Sequence, residues 1–217
     1  MPPEHSIVLD VDGTLVDSNY HHVVAWQAAF AEHGQSVTAW SIHRAVGMGA
    51  DKLVPALLGD AAAEEFGAAV SAGHDTRFRR VIGDVQPLPG ARDLLSALKR
   101  RGLAVVLGSS ASAEEVDHYL DLLDATALVD HVTTAADVDR TKPDPDLIQT
   151  AVEQAGVPAV AMIGDTVWDC RAAAAADLRM LALLCGGISD AELRGAGAHS
   201  VHRDPADLVS QLDSVLI

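Results

Sequence analysis

Short apolar runs that break off at polar or glycine residues set the frame of this 217-residue chain. Ser6-Ile7-Val8-Leu9 runs into Asp10, and residues 103–107 run into Gly108-Ser109-Ser110. Residues 128–133 form a third run, 159–163 a fourth that ends in Gly164-Asp165, and 180–184 a fifth that ends in Cys185-Gly186-Gly187. Runs this short and this continuously apolar are strands covered on both faces. Helical patterns separate them, over 91–101, 113–123, 145–155 and 167–176. Strand and helix alternating at this spacing make a parallel sheet with helices on both sides and right-handed crossovers. The expected fold class is α/β, with a three-layer Rossmann-like core.

One stretch departs from that rhythm. Residues 19–84 hold no strand pattern but four helical ones, over 21–33, 41–46, 50–58 and 61–80. That is too long for a loop in a compact domain, so an inserted α-helical cap subdomain is expected there. The α/β core is then built from 1–18 and 85–217. The crossings fall near 15–19 and in 83–90, where Pro87 and Pro89 lie between glycines. Trp26 and Trp40 are expected in the core of the helical insert, and Trp168 is expected to pack beside the strand-end loop that carries it.

Charge narrows the partners. Fifteen Lys and Arg stand against 31 Asp and Glu, a formal net charge of −16. Such a chain repels nucleic acid and has no basic stripe for an anionic membrane. No apolar run reaches the ~18 residues of a membrane helix. An anionic ligand would need local neutralisation, by a metal or by placed cations. Cys170 and Cys185 form no CxxC or Cys/His cluster, so neither a disulfide scaffold nor a zinc site is expected; both read as small core residues in a reducing compartment. The first five residues carry no basic or apolar leader pattern, and the cytoplasm is the expected location.

Chemistry-bearing residues collect at the ends of the expected strands, the edge where open parallel sheets bind ligands. The first strand delivers Asp10-Val11-Asp12-Gly13-Thr14, the second Ser109-Ser110, and the fourth Gly164-Asp165 with Asp169 beyond; Lys142-Pro143 precedes a helix. Asp10, Asp165 and Asp169 offer hard oxygen ligands of the kind Mg²⁺ takes. A carboxylate such as Asp10 is also a nucleophile toward phosphorus once its charge is offset, and Lys142 supplies a fixed positive charge. Asp12 is placed to act as general acid and then base. Ser109 and the amides of the next helix start can hold phosphate oxygens. Plainer roles exist for each: Asp165 or Ser109 as helix N-caps, Asp169 behind the ligands instead of among them, Lys142 as a surface lysine.

In that order and context, Asp10-Val11-Asp12-Gly13-Thr14-Leu15-Val16-Asp17-Ser18, Ser109, Lys142-Pro143 and Gly164-Asp165 with Asp169 resemble the haloacid dehalogenase-like hydrolase superfamily. The likeness extends over the whole chain and is greatest to the phosphoglycolate phosphatase and β-phosphoglucomutase group with a helical cap. It implies a phosphatase in which Asp10 becomes phosphorylated and Asp12 serves the leaving group and then water. It implies Mg²⁺ held by the Asp10 side chain, the Asp12 carbonyl, Asp165 and Asp169, with Ser109 and Lys142 on the transferred phosphoryl group. The substrate would be a small phosphorylated metabolite enclosed by the cap, and the protein a monomer or weak homodimer. Substrate contacts are expected from Ser110 and, in the cap, from His22, Arg44, Gly47 and Lys52; Arg77 and Arg79 are further candidates, and for each of the four cap charges Arg44, Lys52, Arg77 and Arg79 a solvated surface position is the better reading.

Four other functions share parts of this pattern. A 2-haloacid dehalogenase lacks the second aspartate, and Asp12 argues against it. A sugar phosphomutase shares the core residues, but the arginine that mutases carry after the cap glycine is replaced here by Ala50 or Asp51. A phosphonoacetaldehyde hydrolase uses a cap lysine as Schiff base, and Met48-Gly49-Ala50-Asp51-Lys52 is loosely similar to that pattern. A non-catalytic binding protein would have no need of both Asp10 and Asp12.

Overall fold

The computed structural model describes residues 2–216. The chain opens with β1 (Ser6–Leu9) and continues through four helices, α1 (Asn19–Glu32), α2 (Ala39–Ala45), α3 (Ala50–Leu58) and α4 (Asp60–Val81). It then alternates α5 (Ala91–Arg100), β2 (Ala104–Gly108), α6 (Ala113–Leu122), β3 (His131–Thr133), α7 (Asp146–Ala155) and β4 (Ala159–Gly164). Last come α8 (Val167–Ala175), β5 (Met180–Leu183), α9 (Asp190–Gly195), β6 (Ser200–His202) and α10 (Pro205–Val215). Two compact units result: one holds the chain up to Asp17 and from Gln86 onward, the other Ser18–Val85.

The first unit is a six-stranded parallel sheet in the order β3-β2-β1-β4-β5-β6. The α/β class read from the sequence is borne out. All four residues of β1 are fully buried, as a central strand covered on both faces must be. One face packs Val8, Val106 and Met162 against Ile148 and Ala151 of α7 and Cys170 and Ala172 of α8. Helix α5 turns Leu94, Leu95 and Leu98 inward and leaves Arg92 and Arg100 outside, an amphipathic stripe at helical spacing. The strand order reverses direction beside β1, so a crevice opens at the C-terminal ends of β1 and β4. Where the chain leaves and re-enters this unit, Val16 pairs antiparallel with Pro87, and the Asp17 amide donates to the Gln86 carbonyl at 2.9 Å.

The second unit is helical throughout. His22, Trp26 and Phe30 recur every fourth residue on α1, and Val70, His74 and Phe78 do so on α4. Spacing of four keeps each set on one face, and the two faces meet. His22 lies over Phe78 with ring centroids 3.8 Å apart, and Trp26 over His74 at 4.0 Å. His22 Nδ1 is 3.1 Å from His74 Nε2.

Several expectations need correction. Trp40, expected in the helical core, is 71% exposed at the start of α2, off the face that buries Ile42 and Ala45. The third strand begins later than its apolar run, because residues 126–128 close a 3₁₀ turn first. Cys185 is half-buried instead of fully enclosed, and both cysteines are free. No helix among the described residues is long and apolar enough to cross a membrane.

Candidate active site

Asp10 follows β1 directly and is nearly sealed from solvent; its amide donates to the Ile163 carbonyl of β4 at 2.9 Å. The chain then turns tightly. Gly13 takes a φ of 70°, and the amides of Thr14 and Leu15 both return to the Val11 carbonyl. A left-handed backbone suits glycine there. The turn leaves Asp12 half-buried and aims Thr14 inward, where its hydroxyl donates to Asp165 Oδ1 at 2.8 Å.

Asp165 closes the other side of the crevice, after β4, and is fully buried. It is not the N-cap of α8. Thr166 takes that position: its hydroxyl accepts the Asp169 amide, while Asp169 Oδ2 accepts from the Thr166 amide at 3.0 Å and hydroxyl at 2.6 Å. This capping box holds Asp169 by one oxygen and turns the other toward the crevice. Gly164 leaves room for it, since a Cβ there would stand 2.6 Å from the Asp169 carboxyl carbon.

Lys142 brings a cation into this cluster. It is fully buried, donates to Asp10 Oδ1 at 2.5 Å, and lies 2.8 Å from Asp169 Oδ1. Burial works against its charge, but Asp10 and Asp169 outweigh burial and raise its pKa. Asp10 moves the other way from an ordinary carboxylate. Burial pushes it up to about 7, Lys142 pulls it back, and Asp169 and Asp12 push it further up. One oxygen each from Asp10, Asp165 and Asp169 lie within 4.8 Å of one another. Three buried carboxylates, two of them on one ammonium, leave an excess of negative charge, so the donor set fits a hard divalent cation.

Ser109 directly follows β2, fully buried, with its amide on the Thr133 carbonyl and its hydroxyl accepting the Ala111 amide at 3.0 Å. Helix α6 is capped by Ser112, which frees Ser109 from that task. Ser110 beside it is half-buried. The strand ends thus gather Asp10, Lys142, Asp165 and Asp169 into direct contact or near it. His22, Arg44, Gly47 and Lys52 belong to the helical unit. There His22 is buried against Phe78 and His74, Arg44 and Lys52 are half-buried, and Gly47 turns with a φ of 101°. Thr14, Thr166 and Gly186 were not read as site residues. The Thr-x-x-Asp spacing before a helix marks Thr166, and Thr14 closes the Asp10–Thr14 motif; nothing local marks Gly186.

A family model for haloacid dehalogenase-like hydrolases matches residues 5–177. The chain belongs to the haloacid dehalogenase-like hydrolases. A hydrolase of known crystal structure from Pseudomonas syringae is 33% identical, with a TM-score of 0.91 over 97% of this chain and 99% of that one. Phosphoglycolate phosphatase of Pseudomonas syringae pv. tomato is 31% identical over 196 residues, 83% of this chain and 69% of that protein. Phosphonoacetaldehyde hydrolase of Bordetella pertussis is 30% identical over 172 residues, 72% of this chain. This haloacid dehalogenase-like chain spans 62% of that hydrolase's length. It spans 19% of the length of the chloroplastic protein SUPPRESSOR OF QUENCHING 1 of Arabidopsis thaliana, to which it is 29% identical.

Proposed function

We propose that this protein is a Mg²⁺-dependent phosphatase that hydrolyses a small phosphorylated metabolite through a phosphorylated Asp10. What carries the reading is the buried cluster of Asp10, Asp165 and Asp169 at the strand ends of the sheet, with the Lys142 ammonium on Asp10 and Asp169. The likeness to phosphoglycolate phosphatase supports a phosphate ester as substrate. The side chains of Asp10, Asp165 and Asp169 and the backbone carbonyl of Asp12 would hold the cation. Bound there, it would polarise the phosphoryl oxygens and offset the gathered charge.

The chain's own residues account for the steps. Lys142 and Ser109 hold the phosphoryl oxygens, and Lys142 favours the ionised form of Asp10 against its burial. An Asp10 carboxylate oxygen forms a bond to phosphorus as the bond to the ester oxygen breaks. Asp12 gives that leaving oxygen its proton. The same Asp12 then takes a proton from water, whose oxygen bonds to phosphorus as the Asp10–phosphorus bond breaks, so phosphate leaves and both carboxyl groups are restored. The helical unit, Ser18–Val85, acts as the cap that shields the phosphorylated enzyme and selects substrate, with Ser110, Arg44, Gly47 and Lys52 as contacts. The packing of His22 against Phe78 and His74 favours a structural part for it. The expected setting is the cytoplasm.

Phosphate release from a panel of small phosphate monoesters, in Mg²⁺ and in EDTA, tests this. Release that requires Mg²⁺ supports it, and no release from any ester refutes it. A second reading, C–P bond hydrolysis, is favoured by the likeness to phosphonoacetaldehyde hydrolase together with Lys52 in the first turn of α3. Borohydride trapping of phosphonoacetaldehyde on Lys52 would establish that reading, and absence of an adduct would remove it.

A further inference from the structure

Asp165 is fully buried, and each of its two oxygens meets a different constraint. Oδ1 accepts the Thr14 hydroxyl at 2.8 Å, across 151 positions of sequence. Oδ2 fills the space above Gly186, where a Cβ would stand 1.9 Å from it, 2.7 Å from the carboxyl carbon and 2.8 Å from the Asp165 Cβ. Gly186 is not among the glycines with left-handed backbone, so any L-residue could adopt its conformation. The atoms nearest to a side chain there, and the ones it would strike first, are those of Asp165.

The two constraints share one support. Cys185 donates its thiol to the Gly13 carbonyl at 3.0 Å, and this ties the turn after β5 to the turn that carries Thr14. Gly187 closes the turn by donating to the Leu184 carbonyl at 3.0 Å. Neither turn can shift far to relieve pressure on Asp165 without disturbing the other.

We infer that Thr14 and Gly186 are positioning residues that fix the orientation of Asp165, the one by holding an oxygen and the other by leaving room for its neighbour. The inference rests on Asp10, Asp165 and Asp169 being the cation-binding cluster. Partners behind a metal ligand set its orientation, and losing one weakens metal binding by about ten- to a hundredfold. Thr14→Val keeps the shape and removes the donor, and Thr14→Ser restores the donor. Gly186→Ala keeps the backbone and adds only the methyl group that collides with Asp165.

The test is calorimetric titration of Mg²⁺ into the full chain, with phosphate release from p-nitrophenyl phosphate measured alongside. Thr14→Val and Gly186→Ala should each weaken Mg²⁺ by about ten- to a hundredfold, and Thr14→Ser should bind as the parent does. In an Asp165→Asn background, Thr14→Val should cause no further loss, because both act through one carboxylate. Urea midpoints in EDTA check folding; if Gly186→Ala does not fold, the Thr14 pair decides. Parent-like affinity in Thr14→Val, with Asp165→Asn impaired, overturns the positioning role and leaves the phosphatase reading standing. Parent-like affinity in Asp165→Asn removes the cation-binding cluster itself, and the positioning role with it.

Discussion

Lys142→Met removes a charge and little else. The replacement keeps an unbranched apolar stem of similar length, so the cavity change is small. It takes away the donor 2.5 Å from Asp10 and the cation 2.8 Å from Asp169, both in a fully buried setting. Breaking a buried ion pair by deleting one partner costs about 3–5 kcal/mol, because the remaining charge has nothing to answer it. At roughly 2–4 °C per kcal/mol for a chain of this size, the α/β unit should melt some 6–20 °C lower in EDTA. The variant should lose phosphatase activity yet bind Mg²⁺ at least as tightly as the parent, since one repelling cation is gone. Thermal unfolding in EDTA, Mg²⁺ calorimetry and phosphate release measure the three effects. Melting within about 2 °C of the parent would refute the account of Lys142 as the counter-charge of the cluster.

Three further outcomes follow from single residues. Thr166→Val removes both the N-cap of α8 and the hydroxyl on Asp169 Oδ2; urea unfolding should show a loss of about 1 kcal/mol, and Mg²⁺ calorimetry a weaker site. Trp40→Ser should move stability by less than about 0.5 kcal/mol, because the ring is 71% exposed, and urea unfolding would read any larger change. His202 is buried and its pKa is lowered, chiefly by desolvation, so the folded protein holds it neutral where the unfolded chain protonates it. Stability from this residue is present above the ordinary histidine pKa and lost as pH falls below it. His202→Asn should therefore lose less stability between pH 8 and pH 5.5 than the parent does, in the paired urea midpoints at about those two pH values.

The central sheet was legible because burial on both faces leaves an unmistakable apolar run. Ser6–Leu9 and 159–163 end where the structure ends β1 and β4, to within a residue. The edge strand β6 carried no such signal: Ser200–His202 is three residues long and only its last is buried. Helix α9 before it and helix α10 after it are equally weak in the sequence pattern. In the helical unit the periodicity placed the four helices, but not which rings meet, and His74 stood out in no way within an alanine-rich segment. At the crevice, acids and a lysine announce themselves by type. Thr14 and Gly186 do not, since what they do depends on Asp165, fully buried and distant in sequence from Thr14.

The central claim is that Asp10 itself takes the phosphoryl group. The most direct measurement is mass mapping of rapidly acid-quenched enzyme after mixing with Mg²⁺ and its best phosphate ester, beside Asp10→Asn treated alike. The account predicts one added phosphoryl group on the peptide that carries Asp10, absent in Asp10→Asn, with phosphate release lost in that variant. Continued phosphate release by Asp10→Asn would contradict it.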